Sequence, residues 1–434
     1  MEHTRQIVNE FFKKNSVSQI LFVTSLVFLP YFLYLSLAGL VATIGIELKC
    51  HRQQIFSLLY KWGFMLLGAG LLISSSFAYN RSEAFLQLAN FLPFFLFFAI
   101  AVILIQSFEQ PLEALEKLAW YLVLAAIPIN LAAPIEYWLK APSLVSQFSS
   151  WPWLAWLYQE EYYGHRAQSV FDHPNFLASY LVLIFGLGLG LVLRASYQPE
   201  PLNVRRHKAN FPANLRHNTS LLYAATFLNL VGIFCSGSRN GIIIALSQLI
   251  IFGCFVRQNR FIRLTGLGSM IAISTSVFFM GVGGRKLSLS LMTEDPRIGV
   301  WAIAYDLTQQ RPLLGWGLGN YKLLYQPQSV QGYDYIPHAH NFWLMLAVET
   351  GIPMMIAFAI IIGLFCYRGV RALLLTSITA SHRAILLTYL LAFWGCTAFA
   401  LFDAPFYDAR INILDWFALA GIYVLSQPEG DKAL

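Results

Sequence analysis

Long runs of apolar residues, separated by short polar segments, cover most of the chain. Several runs exceed the roughly 18 residues that mark a helix able to cross a bilayer. A backbone inside lipid must satisfy its own hydrogen bonds, so these runs are predicted to be helices. The pattern predicts an all-α polytopic membrane protein with about 12 transmembrane helices. The predicted spans are two short helices within 17–48, followed by 57–78, 84–105, 118–136, 175–195, 219–236, 241–256, 264–281, 341–366, 384–402 and 411–426.

The division of residues 17–48 into two spans rests on Pro30, which lies near the middle of that run. A proline inside a helix removes a hydrogen bond and clashes with the preceding turn. The division makes the number of spans even, so both termini are predicted to be cytoplasmic. Most of the 29 Lys and Arg residues, including Lys13 and Lys14, then fall on the cytoplasmic side. This is the charge distribution that membrane proteins show.

Two long loops are predicted on the outer side, at 136–174 and 282–340. Loops longer than about 15 residues usually carry function or are disordered. The first loop contains several tryptophans, which favour the interface between water and lipid. In the second loop, residues 301–310 have the spacing of an amphipathic helix, and this loop is expected to carry catalytic residues. The whole of 1–434 is predicted to be one integral membrane domain.

The composition excludes several other classes of protein. Hydrophobic residues make up 57% of the 434 positions and charged residues only 12%, against about 25% charged residues in a soluble domain. A soluble globular chain and a disordered chain are both excluded. The net charge of +7 indicates basic loops beside anionic membrane lipids and no nucleic-acid partner. Five cysteines without C-x-x-C spacing do not indicate a disulfide framework or a redox site.

Arg239 is the most informative polar residue near the predicted outer face. It lies within 236–241, a connection of a few residues between two apolar runs. An ionised side chain is costly to bury there and is therefore a functional candidate. Its guanidinium suits a phosphate, and the helix predicted from Asn240 offers backbone N–H groups to the same anion. Ser238 is included among the candidate ligand-binding residues. The alternative is an arginine that extends to lipid headgroups.

A second candidate arginine, Arg166, precedes the span that begins near residue 175. It stands close in sequence to Asp172 and His173, although a loop arginine is most often simply solvated. A third, Arg297, opens the helical part of the large outer loop. Both are expected to contribute to the same anion site.

Two histidines close the large outer loop. His338 and His340 are two residues apart and share a side in extended chain, and His340 with Asn341 opens a predicted span. A neutral imidazole there can accept a proton. One alternative is a histidine that only caps a helix. Another is a zinc site completed by His165 or His173, which no ligand spacing in the sequence supports.

Three other features receive structural interpretations. Residues 315–319, G-W-G-L-G, lack the context of a phosphate-binding loop and are predicted to form a tight turn. Glu349 is expected to be a helix-face charge that pairs with a neighbour or with backbone. Asp403, Asp408 and Arg410 share a short outer loop and are expected to neutralise one another.

Four segments resemble, in the same order, motifs of the O-antigen ligase and O-antigen polymerase family, which contains bacterial membrane enzymes of lipid-linked glycan assembly. The segments are 166–180 (RAQSVFDHPNFLASY), 236–241 (SGSRNG), 297–321 (RIGVW to RPLLGWGLGNY) and 337–351 (PHAHNFW to ETG). The hydropathy also matches along nearly the whole chain. The resemblance implies a fold like that of type-C glycosyltransferases, with a large, partly helical outer loop.

The resemblance also implies an activity and a place for it. The activity is transfer of a glycan from an undecaprenyl-diphosphate carrier to the hydroxyl of a lipid or saccharide acceptor, without a metal ion, nucleotide or other cofactor. The implied place is the periplasmic side of the bacterial inner membrane. Ligases and polymerases share these motifs, so the acceptor stays open.

The resemblance maps the essential arginines of the family onto Arg166 and Arg239, and its loop histidine onto His340. These three are the predicted catalytic residues. Contacts to the diphosphate and the glycan are predicted for Arg239, Arg166, Arg297, His338, Asn341 and Ser238. A single displacement at such a site would invert the anomeric centre.

Two other functions are weighed against the enzyme. A transporter for a small anion such as bicarbonate is expected to place ionisable groups near the bilayer midplane on broken helices. Here the candidate charges gather at the outer rim, and the sequence has no visible repeat. A polysaccharide flippase or export component needs a polar path through the bundle, which the nearly charge-free spans do not indicate.

Overall fold

The computed structural model describes residues 16–140, 164–197, 219–256, 260–282, 295–326, 329–330, 336–375 and 378–427. These residues form α-helices joined by turns, and none of them lies in a β-strand. The first helices are α1 (Val17–Phe28), α2 (Leu33–Lys61), α3 (Phe64–Ser76), α4 (Arg81–Gln87), α5 (Leu92–Ser107), α6 (Pro111–Ala125), α7 (Ile127–Leu139) and α8 (Pro174–Ser196). The later helices are α9 (Thr219–Cys235), α10 (Arg239–Phe255), α11 (Arg260–Met280), α12 (Arg297–Gln310), α13 (Tyr321–Leu324), α14 (Phe342–Thr350), α15 (Ile352–Leu374), α16 (Ala380–Phe399) and α17 (Ala409–Leu425). Single 3₁₀ turns lie at Leu88–Asn90 and Pro405–Tyr407.

Length and composition confirm the prediction of an all-α polytopic membrane protein. Five helical stretches of the described residues are long and apolar enough to cross a bilayer, and shorter apolar helices accompany them. The long stretches are Leu33–Lys61, Arg81–Ser107, Pro111–Leu139, Pro174–Ser196 and Ile352–Leu374. The number of spans stays a prediction, as do the orientation of the termini and the boundaries of the two outer loops. The tryptophan-rich part of the first outer loop, 141–163, lies outside the described residues.

The break predicted at Pro30 is present, but the next boundary differs from the prediction. Helix α1 ends at Phe28 and α2 begins at Leu33. Helix α2 then continues to Lys61, with a kink at His51 (φ −125°, ψ 27°), where the sequence indicated a loop between spans ending at 48 and beginning at 57. Polar residues that leave the lipid can remain helical in water, so the end of an apolar run does not have to end the helix.

The segment 341–366, predicted as one span, is two helices separated by Gly351. Gly351 has φ 86° and ψ 159°, a conformation that residues with a Cβ atom rarely adopt. A Cβ atom at this position would lie 2.2 Å from the carbonyl oxygen of Leu313. Helix α14 therefore folds back along α15, and the rings of Phe342 and Phe358 are 6.0 Å apart.

Two more predicted spans are interrupted near prolines. The 84–105 run is divided by the 3₁₀ turn before α5, whose first turn contains Pro93. The 118–136 run is divided at Ala126, and Pro128 lies in the first turn of α7. Proline is tolerated in a first helical turn, where its missing N–H has no intrahelical partner. These prolines therefore mark helix starts within continuous apolar runs.

Helix α8 is the centre of the bundle. Its residues from Leu177 to Leu193 are all buried, and it packs most extensively against α16. A Cβ atom at Gly186 would lie 2.5 Å from the backbone of Leu391, and Gly190 meets Thr388 equally closely. Small residues of this kind let membrane helices approach each other closely. Helices α8 and α16 are consequently held close together.

The turn predicted at 315–319 supports the C-terminal end of α14. Gly315 has φ 67°, and a Cβ atom there would lie 2.5 Å from the backbone of Glu349. The N–H of Gly317 donates to the carbonyl oxygen of Glu349 at 2.7 Å. The Glu349 side chain accepts from the N–H of Tyr321 at 3.4 Å, which agrees with the expectation that it pairs with backbone.

Candidate active site

Connecting segments from distant parts of the chain meet beside the first turn of α8. The N–H of Ala167, before α8, donates to the carbonyl oxygen of Cys235 at 2.9 Å, which joins this segment to the α9–α10 hairpin. The side-chain amide of Asn175, at the start of α8, donates to Oδ2 of Asp403 at 2.7 Å. Asp403 belongs to the loop between α16 and α17. The start of α14 is tied to the same loop, because Phe342 N–H donates to a carbonyl oxygen of that loop at 2.8 Å.

His340 and Asp403 form the centre of this site. Nδ1 of His340 lies 3.3 Å from Oδ1 of Asp403, and Nε2 of His338 lies 3.8 Å from the same oxygen. An ionised carboxylate only accepts hydrogen bonds, so neutral His340 donates from Nδ1 and carries its basic lone pair on Nε2. His340 also has φ 48°. Left-handed backbone is uncommon for a residue with a Cβ atom, and such strained residues cluster at functional sites.

Arg166 is connected to this pair through one intervening side chain. Its Nε donates to the carbonyl oxygen of Ser236 at 2.9 Å, and its Nη2 donates to Oδ1 of Asn175 at 2.6 Å. The side-chain amide of Asn175 in turn donates to Asp403, as described above. A continuous hydrogen-bonded chain therefore runs from Arg166 through Asn175 and Asp403 to His340.

The carboxyl group of Asp403 is ionised although it is buried. Burial by itself raises the pKa of a carboxyl group. The hydrogen bond from His340, together with the charge of Arg297, outweighs burial and holds the pKa of Asp403 well below its usual range. The site therefore contains a fixed negative charge surrounded by nitrogen groups.

Two histidines of the site are neutral at neutral pH. Burial lowers the pKa of His338 from 6.5 to about 4, and the charge of Arg297 acts in the same direction against the opposing effect of Asp403. Burial likewise lowers the pKa of His173 to about 4, assisted by the charge of Arg166. Two guanidinium groups thus lie near these rings, and positive surroundings of this kind favour a bound anion.

Arg239 lies on the hairpin that contacts Arg166, at the first position of α10. The hydroxyl of Ser238 caps this helix by accepting from the N–H of Gly241 at 3.3 Å. The Arg239 side chain is half-buried, and it makes no hydrogen bond or ion pair with the residues that the structure describes. The structure therefore brings the hairpin of Arg239 to the site through Ser236, while a direct role of its guanidinium stays a prediction.

Arg297 is the first residue of α12, and Asn341 is the residue that precedes α14. Arg297 begins α12, four residues before the helix predicted at 301–310, and is half-buried. Its charge is one of the groups that lower the pKa of Asp403, as described above. Asn341 caps α14, because its side chain accepts from the N–H of Leu344 at 3.0 Å. For Asn341 the structure thus adds a structural role to the predicted contact with ligand.

The sequence interpretation missed Asn175 and the role of Asp403. The sequence predicts that Asp403, Asp408 and Arg410 neutralise one another, but Asp403 bonds instead to His340 and Asn175. Arg410 pairs with Asp408 alone among these acids, at 2.5 Å, and its Nη1 donates to the carbonyl oxygen of Val170 at 2.7 Å. Only a short acidic loop after a predicted span pointed to Asp403, and 63 residues separate it from His340.

His338, His340 and Asp403 are also arranged so that they could hold a metal ion. Their ligand atoms all lie within 4.8 Å of one another, and a histidine pair with a carboxylate is a common ligand set. His165, named as a possible further ligand, lies instead beside Tyr137, with ring centres 6.2 Å apart. The other possible ligand, His173, accepts the N–H of Asn175 at its Nδ1. The charges of Arg166 and Arg297 act on the rings of His173 and His338 and oppose a dication at this position.

The described residues therefore belong to an all-α membrane protein in which arginine, histidine and buried aspartate side chains meet at one end of the helix bundle. Residues 224–359 match the family model described as O-antigen ligase. This match confirms the resemblance to the O-antigen ligase and polymerase family. The matched range contains Arg239, Arg297, His338 and His340, whereas Arg166 and Asp403 lie outside it. A comparison with curated proteins finds no match.

Proposed function

We propose that this protein is a glycosyltransferase that moves a glycan from an undecaprenyl-diphosphate carrier to a hydroxyl of a lipid or saccharide acceptor. The proposed location of the site is the periplasmic face of the bacterial inner membrane. The observation that carries the proposal is the hydrogen-bonded chain from Arg166 through Asn175 and Asp403 to His340. This chain joins a guanidinium suited to phosphate to an imidazole suited to proton transfer. The O-antigen ligase match over 224–359 supports the enzyme class.

The reaction proposed for this site is a single displacement. Nε2 of His340 takes the proton from the acceptor hydroxyl, and Asp403 stabilises the imidazolium that forms. The acceptor oxygen bonds to the anomeric carbon as the bond from that carbon to the phosphate oxygen breaks. Undecaprenyl diphosphate leaves with the bonding electrons, and the anomeric configuration inverts. General base catalysis of this kind typically contributes about 10²–10⁴-fold.

The departing diphosphate is stabilised by positive groups that are in place before the reaction. Arg166 is held by Ser236 and Asn175, so little reorganisation is needed as charge develops on the phosphate. Arg239 and the N-terminus of α10 are proposed to bind the same diphosphate from the adjacent hairpin, and His338, Arg297, Asn341 and Ser238 are proposed to line the glycan and diphosphate path. In this proposal guanidinium groups supply the charge, so the reaction needs no metal ion.

The proposal is tested with purified protein in liposomes that contain a lipid-linked oligosaccharide and one of two acceptors. A lipid acceptor reports ligase activity, and a second lipid-linked oligosaccharide reports polymerase activity. We expect transfer to one of them, unchanged by EDTA and abolished by His340→Gln. His382→Gln, a change at the opposite end of α16, is the matched control and should keep the wild-type rate. Absence of transfer to either acceptor, or full activity of His340→Gln, would refute the proposal.

The alternative of small-anion transport receives less support. Asp415 is buried within α17, and its Oδ1 has no partner among the described residues. A buried carboxyl group in the bundle is a functional candidate by position, but it offers no positive charge to bind an anion. Uptake of radiolabelled bicarbonate into the same liposomes, lost in Asp415→Asn, would favour transport over transfer.

A further inference from the structure

Side chains at the C-terminal end of α7 bind the backbone of the segment that carries Arg166. The carboxylate of Glu136 accepts the N–H of Gln168 at 3.1 Å and the N–H of Ser169 at 2.7 Å. The ammonium of Lys140, one turn further on, lies 2.8 Å from Glu136. The same ammonium donates to the carbonyl oxygen of Arg166 at 3.3 Å. Two side chains at the C-terminal end of α7 therefore form hydrogen bonds with three backbone groups between residues 166 and 169.

This ion pair differs from an ordinary surface pair in its burial. The side chains of Glu136 and Lys140 are only 9% and 6% exposed. Charges are retained at such burial when hydrogen bonds satisfy them, and here the loop backbone supplies those bonds. The backbone that they hold is unfavourable by itself, because Ser169 has φ 54°. The pair thus stabilises a loop conformation that the loop sequence alone does not favour.

We propose that Glu136 and Lys140 are positioning residues that set the orientation of Arg166 toward the diphosphate of the donor. The inference rests on the proposed function. It follows from the connection in the structure: the pair fixes the backbone at 166–169, and the Arg166 side chain then reaches Ser236 and Asn175. Loss of the pair lets the guanidinium move away from the position in which it meets a phosphate. A misplacement of about 1 Å can cost about 10²-fold in rate.

The chain offers a matched control for this pair. Glu113 and Lys117 on α6 are also four residues apart, and their charged atoms are 3.8 Å apart, but both side chains are partly exposed. They lie near the start of the apolar stretch Pro111–Leu139, whereas Glu136 lies near its end. Glu113→Gln therefore removes the same charge from the same kind of helical pair at a distance from Arg166.

The test is a double-mutant cycle measured as kcat/KM for the lipid-linked donor in liposomes. Glu136→Gln should lower kcat/KM by about 10²-fold, and Glu113→Gln should not. In an Arg166→Ala background, Glu136→Gln should cause no further loss, because it acts through Arg166. Lys140→Met should repeat the effect of Glu136→Gln, and Lys140→Arg should recover most of it. If Glu136→Gln does not give monodisperse protein, the Lys140 variants carry the same cycle.

The outcomes separate this inference from the proposed function. If Arg166→Ala transfers glycan at the wild-type rate, the proposed role of the arginine is wrong. If Arg166→Ala loses transfer while Glu136→Gln and Lys140→Met retain it, only the positioning role is refuted. Losses that multiply fully in the double variant would also refute positioning, because they would show that the pair acts independently of Arg166.

Discussion

Oδ1 of Asp403 lies 3.3 Å from Nδ1 of His340, although the two residues are 63 positions apart. The pair connects the end of the large outer loop to the loop between α16 and α17. The contact selects the tautomer of His340 that has a basic Nε2, and in the proposed reaction Asp403 supplies a negative charge to the imidazolium that forms. This relationship turns a loop histidine into a candidate general base with a defined orientation.

Asp403→Asn is expected to lower kcat strongly and to change the donor KM little. The variant keeps the size of the side chain but removes the charge that stabilises protonated His340. The expected loss in kcat is about 10²–10⁴-fold, measured as glycan transfer in liposomes. Asp172→Asn is the control, because Asp172 is 92% exposed at the same end of the bundle. A kcat within twofold of wild type for Asp403→Asn would contradict the assigned role.

Arg239→Lys is expected to weaken donor binding by about 10- to 100-fold, because lysine keeps the charge but loses the two-pronged contact to phosphate. The measurement is the KM for the lipid-linked donor, or binding of undecaprenyl diphosphate to the detergent-solubilised protein. Arg81→Lys is the matched control at an exposed helix start. Equal affinities of Arg239→Lys and the wild type would remove Arg239 from the diphosphate site.

The folded protein is expected to lose stability as the pH falls from about 6.5 to about 4. His338 and His173 have pKa values lowered from 6.5 to about 4 in the folded state. In the unfolded chain they take up protons near pH 6.5, so the unfolded state binds more protons within this window. Each histidine contributes up to about 3 kcal/mol to this loss.

The measurement for this prediction is the apparent melting temperature in detergent at pH 7, 6, 5 and 4. His338→Gln removes one of the two titrating groups and should reduce the pH dependence. The same acid-induced decrease in His338→Gln and in the wild type would show that His338 does not contribute.

Gly351→Ala is expected to destabilise the protein by about 1–3 kcal/mol from backbone strain alone. The added Cβ atom also meets the carbonyl oxygen of Leu313 at 2.2 Å, so the turn between α14 and α15 has to shift. Gly363→Ala in α15 is the control, because nothing lies within 4 Å of its added Cβ atom. Thermal unfolding in detergent should separate the two variants, and equal melting temperatures would contradict the packing described for Gly351.

Local features of the sequence predicted much of the helical framework. Apolar runs indicated where helices lie, and Pro30 correctly marked the break between α1 and α2. The conformations of these segments depend on neighbouring residues and on the need to satisfy backbone hydrogen bonds in lipid. The same reasoning missed the break at Gly351, because that break depends on Leu313, which lies 38 positions earlier in the sequence.

The candidate site also combines features that the sequence predicts with features that only the tertiary structure sets. The sequence by itself determined which candidate residues were available. Arginines and paired histidines beside apolar runs are costly to bury, so their presence there indicates function. Only the tertiary structure decided which of them meet. Asn175 and Asp403 became partners because α8 and α16 pack closely through glycines, which brings the start of α8 and the loop after α16 within hydrogen-bonding distance. Contacts between residues far apart in the chain are set by the packing of whole helices, and no local pattern encodes them.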